Sequence, residues 1–224
     1  MNKIKQIDLG KKYGVDVSKF ANPKFDLIQI MQIIYGLENG LSESEVKIYA
    51  NPDFDYAQMC LIRDGIKQGL DVSIYAKPEF DSSQMYQIRK GLENKIDVSL
   101  YANPKFDYHQ MDIILEGIED GIDVSVYADP KFNDRKMEQI KLGLENGVDI
   151  SIYKKPEFDS WQMKEIRLGL EKGIDVSVYA KPMFSSSQME QLRLGLEEGL
   201  DVNIYAIPEF WAFEMEETRL AMSK

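Results

Sequence analysis

The sequence predicts an all-α fold, an α-solenoid of about eight 26-residue units that each pair a long α-helix with a short α or 3₁₀ helix. Three observations predict it. Pro52, Pro78, Pro104, Pro130, Pro156, Pro182 and Pro208 are spaced by 26 residues, with Pro23 a further 29 before them, and these are all eight prolines. All fifteen glycines fall at two phases of that repeat, typified by Gly117 and Gly121. Within a unit the apolar residues keep helical spacing, as at Met85, Ile88 and Leu92.

The elements follow in order. Gln6 to Gly10 lines up with Gln139 to Gly143, so residues 1–15 read as the second half of a helix that caps the array. Units then span 16–44, 45–70, 71–96, 97–122, 123–148, 149–174, 175–200 and 201–224. The first carries three extra residues around Gly40 to Glu45, which read as a loop bulge. Asp81 with Gln84 three residues on has the form of a capping box. The pair recurs as Asp26/Gln29, Asp55/Gln58, Asp107/Gln110, Asp159/Gln162 and Ser185/Gln188. Arg89/Glu93, Arg167/Glu171 and Arg193/Glu197 are i,i+4 ion pairs worth a few tenths of a kcal/mol each. The Gly121-like phase ends each long helix, where glycine adopts the left-handed conformation cheaply. The Gly91-like phase lies inside the helix at about 1 kcal/mol against alanine, which predicts close approach of a neighbouring backbone. After the glycine, Asp71 caps a short element whose apolar side is Val72, Tyr75 and Ala76. The residue before Pro78 is driven from helical geometry, so that element stops there, and Phe80 turns back into the core. Neither helix buries its apolar face alone, which makes stacking obligatory.

The run from Tyr101 to Asp107 (Tyr-Ala-Asn-Pro-Lys-Phe-Asp), followed by Gln110-Met111, resembles the alanine-asparagine-proline core of leucine-rich-variant repeats. It is also similar to 26-residue repeats in phage and mobile-element proteins of gut bacteria. The first resemblance implies alternating α and 3₁₀ helices in a right-handed solenoid; the second brings anti-defence inhibition into view. Asp stands where the variant repeats usually have proline or threonine before the helix.

Composition narrows the function classes. The chain carries a net charge of −11, distributed as −2 on residues 1–112 and −9 on residues 113–224. That sign opposes direct binding to a phosphate backbone. One cysteine, Cys60, excludes an intramolecular disulfide and points to a reducing cytoplasm. Residues Met1 to Asp8 have no long apolar run, so neither a signal peptide nor a membrane partner is expected. The single histidine, His109, has no histidine or cysteine partner, and Cys60 stands where other units place Tyr86, Asp112, Glu138 or Lys164. Every glycine already has a place in the repeat, and the recurrent carboxylates read as caps and ion pairs. No catalytic residue, cofactor site or metal site is expected.

What remains is the surface that changes between units, at the positions of Ser82, Ser83, Tyr86, Gln87 and Lys90. Their spacing puts them on one face of the long helix, away from the Met85/Ile88 stripe. On this face the first unit places Leu27, Ile28, Met31 and Tyr35, the second Tyr56, Cys60 and Leu61, the fourth Tyr108, His109 and Ile113, and the sixth Trp161. Tyrosine, tryptophan and methionine are the enriched anchors of interfaces, so a protein partner is expected there. Glu138, Glu165, Glu190 and Glu216 would form an acidic face, which carries the alternative of an inhibitor that imitates nucleic acid. Leu142, Leu168, Leu194 and Leu220 read as packing between units. Trp211 reads as a shield over the last unit's open edge, with a homodimer through that edge as the alternative.

Overall fold

The computed structural model describes residues 1–223 as α-helices and 3₁₀ segments, with no strand among them. By compactness the chain divides into Met1–Leu115 and Glu116 onward, each described by itself. The first part holds α1 (Lys3–Lys12), α2 (Leu27–Glu38), α3 (Glu43–Tyr49), α4 (Tyr56–Lys67), α5 (Ser82–Glu93) and the opening of α6 (Tyr108–Glu119). The second holds α7 (Asp134–Glu145), α8 (Ser160–Glu171), α9 (Ser186–Glu197) and α10 (Ala212–Met222). Helices pack on their neighbours in sequence, α2 on α4 and α4 on α5 in the first part, α7 through α10 in turn in the second. The chain is a helical repeat protein.

Local chemistry explains where each helix starts and stops. All six expected boxes form: Asp81 accepts from the Gln84 amide at 2.8 Å while the Gln84 side chain accepts from the Asp81 amide at 2.8 Å. Asp107 and Gln110 do the same at 2.9 and 2.8 Å. Seven glycines follow the helix ends with positive φ, and at the one unit without a glycine Lys95 takes φ 59° instead. The short element is a three-residue 3₁₀ helix, Val72–Ile74 in the third unit and its equivalents through Val202–Ile204. In the first unit it shrinks to a turn around Val17 to Ala21.

Three expectations change. The residues read as a loop bulge instead start a helix: Ser42 caps α3, with Glu45 completing a capping box. Three extra residues supply the additional turn that turns 3₁₀ into α. The interior glycines do not meet a neighbouring backbone, except at Gly10, where the Val15 carbonyl lies close. They make room for a tyrosine from the next short element; a Cβ on Gly65 would stand 2.0 Å from the Tyr75 hydroxyl. That hydroxyl donates to the Leu61 carbonyl at 3.2 Å, and Tyr153 and Tyr179 reach Gln139 and Glu165 in the same way. Burial drives the pKa of Tyr75, Tyr153 and Tyr179 well above the usual phenol value, so each is a neutral donor. Finally, Leu142, Leu168 and Leu194 are only half-buried and Leu220 is exposed, because the stripe that packs is centred on the Met and Ile positions such as Met163 and Ile166.

Two polar ladders join successive units. In the first, the capping glutamine uses its free amide nitrogen on the next unit's turn: Gln84 Nε2 donates to the Phe106 carbonyl at 2.6 Å, and Gln162 Nε2 to that of Phe184 at 2.8 Å. Where the fifth unit has Lys136 in place of glutamine, its Nζ reaches the Pro156 carbonyl at 3.3 Å. In the second ladder an arginine bonds to a residue one unit earlier. Arg167 Nε donates to Gln139 at 3.1 Å, Arg193 Nε to Glu165 at 2.9 Å and Arg219 Nε to Gln191 at 3.2 Å. In the first part Arg63 serves Gln32. Each ladder satisfies buried polar groups that stacking would otherwise strand.

Candidate partner-binding face

The variable positions face outward much as the spacing requires, with two exceptions. Leu27, Ile28, Tyr35, Tyr56, Tyr86, Tyr108, His109 and Trp161 are exposed, while Met31 and Cys60 are half-buried. Gln87, expected outside, is only 7% exposed. Glu165, expected on an acidic face, is likewise buried at 7% and paired with Arg193. Both occupy the sixth position of the long helix, where Arg193 of the second ladder holds Glu165 and Gln87 is buried without such a partner. Glu138, Glu190 and Glu216 remain exposed.

In the first part, four predicted residues come together. A groove of 530 Å³ runs across α4, α5 and the first turn of α6, walled by Tyr56, Tyr86 and Tyr108. Cys60, Leu61 and Gln87 line it as well, with Ser82 and Ser83 from the start of α5. None of its lining residues carries a formal charge at neutral pH. The Cys60 thiol donates to Gln32 Oε1 at 3.1 Å, and burial pushes its pKa up, so it is a packed thiol rather than a poised nucleophile. His109 lies against Tyr108, ring centroids 3.8 Å apart at 34°, just outside the groove.

Leu27, Ile28, Met31 and Tyr35 do not enter it. Tyr35 instead carries two cations, the Arg63 guanidinium 4.6 Å and the Lys67 ammonium 5.0 Å from its ring centroid. In the second part Trp161 stands with Lys164 at 5.6 Å over its ring, beside a smaller 260 Å³ hollow shared with Arg135 and Glu138. Trp211 does not shield the last unit; it is 71% exposed at the N-cap of α10, and Phe213 beside it is exposed too. An indole has no oxygen to accept the free amides, so Glu214 supplies the only cap bond, accepting from the Trp211 amide at 2.7 Å.

Spacing alone did not single out a larger cleft of 710 Å³ among the short elements of the first two units, reached by Lys3, Phe20 and Lys47. Its Lys19 is held by Glu43 at 2.6 Å. Among the described residues no three His, Cys, Asp or Glu side chains group as metal ligands, and no helix is long and apolar enough to cross a membrane. In comparisons with known proteins, no family model, no curated protein and no solved structure matches the chain.

Proposed function

We propose that this is a non-enzymatic helical-repeat protein that holds or blocks a protein partner through the variable face of its long helices. The observation that carries the reading is a division of labour within each helix. Recurrent positions such as Met85 and Ile88 are fully buried, whereas the changing positions place Leu27, Ile28, Tyr56, Tyr86 and Tyr108 in solvent. Exposed aromatic side chains in such number offer large contact area at small entropic cost, which is the chemistry of an interface anchor. The mechanism is occupancy: the partner is held by side chains that the scaffold does not need.

The test is affinity capture from extract of the native host by the tagged full-length chain, at low and at high salt, with Tyr56→Ala and Trp161→Ala alongside. Retention that survives salt and is lost in either variant supports the reading. Retention that collapses with salt, and with charge reversal at Glu138, Glu190 and Glu216, supports acidic mimicry instead, as in an anti-defence inhibitor.

A further inference from the structure

Gln87 is the residue that the fold leaves with a bond unmade. It is more than nine-tenths buried, and its amide oxygen is closed off from solvent with no hydrogen-bond partner. The register explains why. At the same helix position Gln32, Gln139, Glu165 and Gln191 each accept from an arginine of the next unit. Counting on from Gln87 the 28 residues that separate Gln139, Glu165 and Gln191 from their arginines reaches Leu115, which is buried and has nothing to donate. Gln6 stands opposite Ile34 at that spacing, and its amide oxygen is orphaned too. Gln6, however, does not line the groove, and Gln87 does.

The chain also shows which group satisfies such an oxygen beside a tyrosine. Arg63 lies on the Tyr35 ring and donates to Gln32 at the same time. A guanidinium can do both because its face stacks while its edge donates. We propose that the groove takes the arginine side chain of a basic peptide segment, its guanidinium resting on the tyrosine walls while Gln87 turns its terminal amide over so that the oxygen, now buried, accepts from it. The inference rests on the partner-binding reading and names the partner's chemistry. Charge supports it: the caps Asp55, Asp81 and Asp107 stand exposed at the heads of the three helices that form the groove. Tyrosine faces attract cations. No lysine or arginine of the described chain lies over Tyr56 or Tyr108. The nearest native cation, Arg89, is 6.0 Å from the Tyr86 ring and is already paired with Glu93 at 3.2 Å.

The experiment is a titration of the isotope-labelled full-length chain with N-acetyl-arginine methylamide, followed by NMR at the Gln87 side-chain amide and the tyrosine rings. The citrulline and norleucine counterparts are the controls. Arginine should give saturable shifts at both sites, and the two neutral side chains should bind at least tenfold more weakly. Gln87→Leu keeps the walls and removes the acceptor, so it should cost arginine at least tenfold in affinity with the fold intact by circular dichroism. Leu115→Arg supplies the donor from within and should give the same loss. Equal binding of norleucine or citrulline, unchanged arginine affinity in Gln87→Leu, or no saturable shift would overturn the proposal. If arginine fails while Tyr56→Ala still abolishes partner capture, the face stands and the occupant falls. If arginine binds as expected while capture ignores Tyr56→Ala, the groove stands and the capture reading falls.

Discussion

The helices α7 to α10 and the helices α4 to α6 are built from the same unit, yet they treat one polar register differently. In the later helices Arg167, Arg193 and Arg219 each reach an oxygen on the preceding helix. In the earlier ones the register is broken twice: Leu61 stands 28 residues before Arg89, and Leu115 stands 28 residues after Gln87. Gln87 Oε1 is accordingly buried without a partner, and Arg89 Nε has only its ion pair with Glu93 on the same helix. The break coincides with the groove, since Leu61 and Gln87 both line it. Where the ladder is complete, polar groups are spent on the scaffold; where it is interrupted, they are left over for something else. Unsatisfied buried groups are rare enough in folded proteins that the one at Gln87, beside a groove, calls for a purpose.

Deleting matched arginines should separate the two registers most strongly. Arg193→Met would strand the buried Glu165 carboxylate and should cost about 3–5 kcal/mol in urea unfolding. Arg89→Met removes a cation whose ladder partner is apolar, so only its Glu93 pair is lost, about 0.5 kcal/mol or less. Equal losses would mean that the two registers are energetically alike. A second test asks whether the rest of the scaffold is uniform. Gly169→Ala and Gly91→Ala would each put a methyl 2.0 Å from a tyrosine hydroxyl, of Tyr179 and Tyr101, and should each cost about 2–3 kcal/mol. Adding Tyr179→Phe to Gly169→Ala should recover part of that by making room.

Repair is a smaller effect of opposite sign. Leu61→Gln would give Arg89 the acceptor that Gln191 gives Arg219, and should raise the unfolding free energy by about 1 kcal/mol. The smallest effect is at Cys60. Burial raises its pKa above that of a free thiol, so its alkylation by iodoacetamide should climb with pH through a midpoint higher than that of cysteine in a peptide. Opening the groove with Tyr56→Ala should shift that midpoint down toward the ordinary value, because exposure favours the thiolate.

How far the sequence could be read depended on the distance between partners. The capping boxes were legible because donor and acceptor are three residues apart, as at Asp81 and Gln84. The second bond of the same glutamine, to Phe106, was not, since the two meet only when units stack. Gln87 and Glu165 were misplaced for a related reason. Helical spacing puts the sixth position at the edge of the outer face, and only stacking of units buries it, with an arginine partner at Glu165 and without one at Gln87. The Gly40 to Glu45 insertion carried its own signal, Ser42 followed by Glu45, a capping box that the reading as a bulge passed over.

The amino-acid order by itself determined the repeat, the helix boundaries and the Met and Ile core, because propensity, capping and apolar period act within one unit. Only the tertiary structure decided why the interior glycines are there, which polar side chains are buried and which of them lack a partner. Those outcomes belong to pairs some 14 to 28 residues apart, and such pairs exist only after one unit has packed on the next.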